Sequence, residues 1–166
     1  DGQTILFMEV SVASSFATYI GKTDASQPVR VGDFVPFELS PDGSRVLGLV
    51  QSTPNHLSIY PVGLGEPLAL PEGSVAFSWA SWLPDGKSVL AAGSEPGHGR
   101  RLYLQDLRGG PVRAISPEGV TFSWDAASPD GQWAVARSPD GNIALYPVGG
   151  GSPKPVPGVT REDEPI

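Results

Sequence analysis

Ser40-Pro41-Asp42-Gly43 is the stretch that decides the fold, because the chain repeats it. Near copies stand at Leu83-Pro84-Asp85-Gly86 and Ser128-Pro129-Asp130-Gly131, and the sequence opens on the end of another copy, Asp1-Gly2. The aspartates of these copies are separated by 41, 43 and 45 residues. A repeat of this length predicts a propeller or a repeat array rather than one irregular domain.

Each residue of the repeated motif has a role in reversing the chain. Proline fixes φ at the first corner, the aspartate carboxylate accepts hydrogen bonds from nearby backbone N–H groups, and glycine adopts the positive φ of the turn. We therefore expect the motif to join two antiparallel strands. A further copy at 138–141 is out of phase with the repeat, and we interpret it as an ordinary hairpin turn.

Four kinds of segment follow one another in each repeat. A short apolar run, typical of a strand buried on both faces, comes after the turn at 4–10, 45–50, 88–92 and 133–136. A more strictly alternating run follows at 16–20, 57–60, 102–104 and 143–146. A short, proline-flanked run, which suits an outer edge strand, lies at 29–31, 68–70, 112–115 and 154–156. The lead-in to the next turn lies at 34–37, 75–79, 120–124 and 159–166.

These segments predict an all-β fold, a β-propeller of four four-stranded antiparallel blades with the lead-in strand innermost. We expect one domain, 1–166, whose blade units are 1–33 with 159–166, 34–73, 74–119 and 120–158. The C-terminal strand, 159–166, would complete the first blade and close the ring. Two alternatives stay open: the chain is a portion of a larger propeller, or two chains pair into an eight-bladed ring.

Composition limits the function classes. The 166-residue chain has a formal net charge of −7, which argues against nucleic acid as a partner. It has no cysteine, which excludes disulfides and thiolate metal sites. It has no apolar run of the roughly 18–20 residues that a membrane helix needs, so we expect no membrane insertion. Because the sequence starts at Asp1 rather than at methionine, we expect an excised or processed piece.

The stretch Leu102–Ser116, LYLQDLRGGPVRAIS, together with the repeated turns, resembles the WD40-like β-propeller repeats (PD40) of the TolB family. The resemblance covers essentially the whole chain, in four units. Similar repeats occur in periplasmic TolB, in sensor regions of bacterial receptor kinases and in the propellers of prolyl oligopeptidase-like peptidases. The resemblance implies a bacterial, periplasmic or extracytoplasmic repeat protein that acts by protein binding.

The sequence contains no catalytic motif that we recognise. It has no G-x-S-x-G nucleophile elbow, no P-loop and no H-E-x-x-H zinc motif. His56 and His98 fall in hairpin loops, where we interpret them as solvated. Asp42, Asp85 and Asp130 recur at equivalent turns, so we interpret them as turn caps rather than catalytic acids. We therefore predict no enzyme activity, no catalytic residues, no cofactor and no metal.

A candidate ligand site lies at the predicted mouth of the central channel, which the lead-in strands would surround. Trp79 and Trp124 are equivalent, six residues before the turn aspartate; Asp163 aligns with them, and Asp125 and Glu164 come one step later. Aromatic faces and carboxylates suit a cation, a sugar or a peptide. Alternatively, the tryptophans pack between blades. Asp163 and Glu164 belong to the acidic run Glu162-Asp163-Glu164, which is either a Ca²⁺ ligand set or, more simply, a solvated chain end.

Two function classes remain. In the first, the chain is a non-enzymatic TolB-like propeller, monomeric or homodimeric, that binds a protein or peptide partner, or a small ligand, at the channel mouth. In the second, it is a non-catalytic propeller region, a gate or a sensor, of a larger enzyme such as a prolyl oligopeptidase-like peptidase or a bacterial receptor kinase. The sequence that flanks the propeller in the full-length protein would distinguish the two.

Overall fold

A computed structural model describes residues 2–10, 16–71, 73–122 and 126–158. In these ranges the chain is all-β, with fourteen strands in four antiparallel sheets. No helix in the same ranges is long and apolar enough to span a membrane. The strands of each sheet are consecutive in the chain, so each sheet is a meander. We number the sheets in chain order as blades 1 to 4.

The strand bounds follow the sequence repeat. Blade 1 consists of β1 (Thr4–Val10), β2 (Phe16–Lys22) and β3 (Val29–Gly32). Blade 2 consists of β4 (Val35–Leu39), β5 (Arg45–Val50), β6 (His56–Pro61) and β7 (Leu68–Ala69). Blade 3 consists of β8 (Ala76–Trp82), β9 (Ser88–Ser94), β10 (Arg101–Asp106) and β11 (Arg113–Ala114). Blade 4 consists of β12 (Trp133–Arg137), β13 (Ile143–Pro147) and β14 (Lys154–Pro155).

Blade 4 differs from blades 2 and 3 in its lead-in segment. Its described lead-in residues make two isolated bridges, Thr121 with Arg137 and Ala127 with Ala134, instead of a regular strand. The out-of-phase turn at 138–141 joins β12 to β13, as predicted. The N–H of its glycine donates to the Ser138 carbonyl at 2.9 Å.

The repeated turn is stabilised by its own side chains. In blade 2, Gly43 has a φ of 70° and its N–H donates to the Ser40 carbonyl at 2.8 Å. The Asp42 carboxylate accepts the Ser44 N–H at 3.0 Å and the Ser40 hydroxyl at 2.6 Å. The Ser40 hydroxyl oxygen accepts the N–H of Arg45 at 3.0 Å. The motif thus closes the turn between β4 and β5, where the sequence places it.

Three apolar clusters hold neighbouring blades together. Blades 1 and 2 share Ile20, Phe34 and Val46. The larger clusters join blade 2 to blade 3 and blade 3 to blade 4; their members include Leu47, Leu57, Phe77, Trp82 and Val89 for the first and Trp79, Leu90, Ala134, Ala136 and Tyr146 for the second. Small residues in the second strands allow close packing, because a β-carbon at Gly48 would lie 2.1 Å from the Phe34 ring.

The described blades form a partial propeller. No apolar cluster among the described residues joins blade 4 to blade 1. The predicted closure of a four-bladed ring is therefore not confirmed. The sequence predicts that segment 159–166 is the innermost strand of blade 1, but this segment lies outside the described residues. Among the described residues, blade 1 has three strands.

Strand β1 departs from the prediction that the first strand after each turn is buried on both faces. Ile5 is 48% exposed and Phe7 is 39% exposed, whereas their equivalents Val46 and Gly48 in β5 are buried. Leu6 packs into the cluster shared with blade 2, so its neighbours in the strand point to the opposite face. In the described part of the chain no sheet covers that face, which is the reason for the exposure.

Candidate functional site

Trp79 is the one sequence-predicted site residue that falls within the described ranges. It lies in β8, is 4% exposed, and packs with its ring centroid 5.0 Å from that of Phe122. It belongs to the cluster between blades 3 and 4, which is the packing role considered as the alternative. The other four residues, Trp124, Asp125, Asp163 and Glu164, lie outside the described residues, and their place at a ligand site stays a prediction.

Phe122 extends this aromatic contact towards the surface. Its ring is half-buried, and the exposed guanidinium of Arg100 lies 5.8 Å from the ring centroid. The geometry is that of a cation–π contact between the β9–β10 hairpin and the lead-in of blade 4. Phe122 is not among the site residues predicted from the sequence, although it stands at the same repeat position as Phe77. Its pairing with Arg100 has no sequence signal, because the two residues are joined only by the tertiary fold.

A charged cluster adjoins this contact and is centred on Glu118. Its Oε1 accepts from Arg101 at 2.5 Å and lies 2.8 Å from His98 Nδ1, while its Oε2 accepts the Gly99 N–H at 3.1 Å. Glu95 lies 3.9 Å from the Arg101 guanidinium. The Gly99 N–H and then His98 hold the pKa of Glu118 below its ordinary value. The sequence predicts a solvated His98, but in the structure this side chain contacts Glu118. The contact links the β9–β10 hairpin to segment 116–119, which precedes the lead-in of blade 4.

The pKa shifts of titratable groups among the described residues have structural causes. The Ser40 hydroxyl, followed by the Ser44 N–H, lowers the pKa of Asp42. Corresponding serine and backbone contacts lower the pKa of Asp130 and Asp140. These contacts agree with the interpretation of the turn aspartates as caps. Burial raises the pKa of other groups, such as Tyr103 in β10.

No group of three or more His, Cys, Asp or Glu side chains suited to a metal ion occurs among the described residues. His56 lies at the start of β6, where its Nδ1 is 2.9 Å from the Ser52 hydroxyl. That contact holds the hairpin, and it joins no second acid or base in a catalytic arrangement.

A cavity of about 500 Å³ lies at the outer rim, between β2, β3 and the turn that contains Val62 and Leu64. Its walls are mostly aliphatic side chains and backbone. Two cations reach it, but Lys22 donates to Thr4 Oγ1 at 2.9 Å and Arg30 is paired with Asp33. The cavity is an apolar recess without a pair of groups for acid–base or nucleophilic chemistry.

No protein-family model matches the sequence, and no curated protein matches it. Solved structures do match. TolB from Acinetobacter baumannii aligns over 92% of this chain with a TM-score of 0.71 at 22% identity. A protein assigned as TolB from Agrobacterium tumefaciens aligns over 93% with a TM-score of 0.75 at 16% identity. The fold is that of a TolB-like β-propeller.

A propeller domain from a protease also matches this chain. The β-propeller domain of the Trilobed protease from Pyrococcus furiosus, whose structure is described as an open velcro topology, aligns over 92% of this chain with a TM-score of 0.64 at 11% identity. This chain covers 41% of the Acinetobacter baumannii TolB chain, 61% of the Agrobacterium tumefaciens chain and 52% of the Trilobed protease chain. It spans about half their length, in agreement with a partial propeller. The family resemblance in the repeats is thus confirmed at the level of fold.

Proposed function

We propose that this chain is a non-enzymatic β-propeller module that binds a protein or peptide partner through the 122 face. We define the 122 face as Arg100, Phe122 and the Glu118 cluster. The observation that carries the proposal is the half-buried Phe122 ring between the buried Trp79 and the exposed Arg100 guanidinium. An aromatic platform beside an exposed cation is a common anchor for polypeptide recognition.

The chemistry of the 122 face suggests the kind of partner. The Arg100 guanidinium can donate to a carboxylate while its other side contacts the Phe122 ring. The ring can accept an apolar or aromatic side chain next to that carboxylate. A peptide with an acidic and an aromatic residue close together fits both groups. We also propose as ligand-binding residues Trp124, Asp125, Asp163 and Glu164, which the sequence assigns to the predicted channel mouth.

The other properties of the proposed module rest on the sequence. The net charge of −7 makes nucleic acid an unsuitable partner. The similarity to TolB structures supports a location outside the cytoplasm as part of the proposal. Neither a cofactor nor a catalytic step is included in it.

The test is selection from a random-peptide display library followed by titration calorimetry of the enriched peptide. We expect Phe122→Ala and Arg100→Ala each to weaken binding by about tenfold or more, as for an anchor residue. Leu64→Ser, on the outer rim, is the matched control and should leave the affinity unchanged. Failure to enrich any peptide, or an affinity insensitive to both variants, would contradict binding at the 122 face.

The likeness to a protease propeller favours a second candidate, a non-catalytic gate or sensor region of a larger enzyme. The two candidates differ in the flanking sequence of the full-length protein, where a hydrolase or kinase domain would support the second. In either case we expect the chain itself to show no turnover. Hydrolysis of a peptide, ester or phosphoester substrate that survives repurification of the chain would contradict this.

A further inference from the structure

The junction between blades 1 and 2 has a smaller apolar core than the junctions that follow it. Among the described residues, three buried apolar side chains form this core, whereas twelve form each of the other two. The cavity of about 500 Å³ lies at the outer end of the same junction, between β2, β3 and the turn after β6. We call it the outer-rim cavity. It is bounded by two blades that the structure describes.

The residue that follows the third strand of each blade shows how this junction differs. The N–H groups of Val62, Leu107 and Val148 each donate to the carbonyl of the residue directly after the repeated turn of their own blade, so the three positions are equivalent. Leu107 and Val148 pack into the apolar clusters with the preceding blade. Val62 is 38% exposed and lines the outer-rim cavity instead. The side chain that fills the later junctions therefore leaves this one open.

The opposite wall of the outer-rim cavity differs from its counterpart in the same way. Val29 and Arg113 occupy equivalent places on the outermost strands, opposite Ile20 in β2 and Leu104 in β10. Between blades 3 and 4, the Arg113 guanidinium donates to the Val148 carbonyl and so spans the junction. Val29 has a short aliphatic side chain that is 66% exposed. The junction between blades 1 and 2 therefore keeps an apolar space where a later junction has a bridging side chain.

The lining of the outer-rim cavity indicates the class of ligand. Pockets for small molecules have volumes of about 300–1,000 Å³ and mostly apolar walls with a few polar groups, and this cavity agrees with both. No aromatic ring and no carboxylate lines it among the described residues, so an aromatic ligand finds no ring contact and a cationic ligand finds no counter-ion. Its apolar walls are aliphatic, which suits an alkyl chain: Ile20, Val29, Val31, Pro61, Val62 and Leu64.

The charged side chains that line the outer-rim cavity are both cations, Lys22 and Arg30, although the chain has a net charge of −7. Lys22 donates to a neutral acceptor, Thr4 Oγ1, at 2.9 Å, and its ammonium group has three N–H donors, so it can also bind a carboxylate. Asp24 is close to Lys22, but its carboxylate accepts a backbone N–H of its own turn. Arg30 is paired with Asp33, and such exposed pairs contribute little stability. The charge at the cavity therefore favours an anionic ligand.

We propose that the outer-rim cavity binds the alkyl chain of a medium-chain fatty acid, with Lys22 as the partner of its carboxylate. The alkyl chain displaces water from the aliphatic walls, which is the main source of affinity. Leu64, which is fully exposed at the tip of its turn, gains an apolar contact with the bound chain. This site is separate from the 122 face and does not depend on the proposed function.

The experiment is titration calorimetry of the 166-residue chain with laurate below its micelle concentration, where we expect saturable one-to-one binding. Lys22→Met keeps the aliphatic stem but removes the charge, and it should weaken binding by about tenfold or more. Lys87→Met removes an exposed lysine of blade 3 and should not change the affinity. Val29→Glu places a carboxylate in the cavity wall and should weaken binding at least as much as Lys22→Met. Leu68→Glu is its matched control at the equivalent position of blade 2, and circular dichroism confirms that each variant is folded.

Ligands with the same alkyl chain test the part played by charge. Dodecanol should bind the wild type about as weakly as laurate binds Lys22→Met. Dodecyltrimethylammonium that binds as tightly as laurate overturns the proposal, as does laurate binding that is insensitive to both Lys22→Met and Val29→Glu, because either result means adsorption to exposed apolar surface. Absence of saturable laurate binding also overturns it. A peptide that loses affinity on Val29→Glu, when laurate has none, would assign the cavity to a polypeptide and exclude the fatty acid.

Discussion

Pro84 lies directly against Gly131 in the turn of the next blade. A β-carbon at Gly131 would be 3.1 Å from Pro84 Cδ, and Pro41 approaches Gly86 in the same way, at 3.7 Å. The Arg45 guanidinium also donates to the Gly86 carbonyl at 2.9 Å. The repeated motif therefore has two functions, because it closes a hairpin within each blade and sets the contact between neighbouring blades.

The contact between turns predicts that Gly131→Ala destabilises the fold by more than the backbone strain of placing alanine at this positive φ. Alanine at a φ of 68° costs about 1–2 kcal/mol, and the added methyl must also displace the Pro84 ring. We expect the free energy of unfolding in urea to fall by roughly 1–3 kcal/mol beyond that strain. Gly43→Ala is the matched control, since Gly43 has a φ of 70° and open space around its β-carbon position. Equal losses in the two variants would contradict an interblade role for the turn glycine.

The turn acids predict that the fold loses stability in acid. Hydrogen bonds lower the pKa of Asp42, Asp130 and Asp140, and Arg108 lowers the pKa of Asp106 to about 2. A carboxylate with a lowered folded pKa stabilises the fold above its unfolded pKa of about 4, and this contribution is lost as pH falls through the folded pKa. We expect the melting temperature to be nearly constant from neutral pH to about pH 5 and to fall steeply below about pH 4.

The variant Asp42→Asn separates this effect from general acid denaturation. Asparagine can occupy the turn but does not titrate, so the melting temperature of the variant should lie below that of the wild type at neutral pH. The difference between the two should shrink as the pH falls below the unfolded pKa of about 4 and towards the lowered folded pKa of Asp42, because the stabilisation by the ionised carboxylate is lost over that range. A difference that is constant from neutral pH to acid would show that the Asp42 charge has no part in it.

The Ser40 hydroxyl gives a second turn prediction. It is buried, donates to Asp42 and accepts the Arg45 N–H. Ser40→Ala leaves that N–H without its acceptor, and we expect a loss of about 1–3 kcal/mol in the free energy of unfolding by urea. Ser44→Ala removes an exposed hydroxyl that also donates to Asp42; water replaces it, so this control should change the stability little. Comparable losses in both variants would argue against a special role of the buried hydroxyl.

The sequence predicts the features that local chemistry determines. The turns, the strand order and the short outer strands follow from residues within one repeat, such as Ser40 and Asp42. Features that depend on distant neighbours are not predictable in this way. His98 contacts Glu118, which is 20 residues away in the chain. Ile5 is exposed, although the sequence of β1 matches that of the equivalent buried strands. Ring closure depends on the summed angles between blades, which no single repeat encodes.

Substitutions of Trp79 can separate a role in packing from a role in ligand binding. Its ring is buried against Phe122 in the cluster between blades 3 and 4, so Trp79→Ala should lower the free energy of unfolding by about 3–5 kcal/mol. Trp133→Ala is the control, since Trp133 is half-buried and contacts the exposed Lys154, and its loss should be clearly smaller. Trp79→Phe keeps an aromatic ring in the cluster and should recover much of the stability. If Trp79→Phe is as stable as the wild type but no longer binds the selected peptide, Trp79 contributes to the binding face. If it binds normally, Trp79 acts by packing, and recognition depends on Phe122 and Arg100.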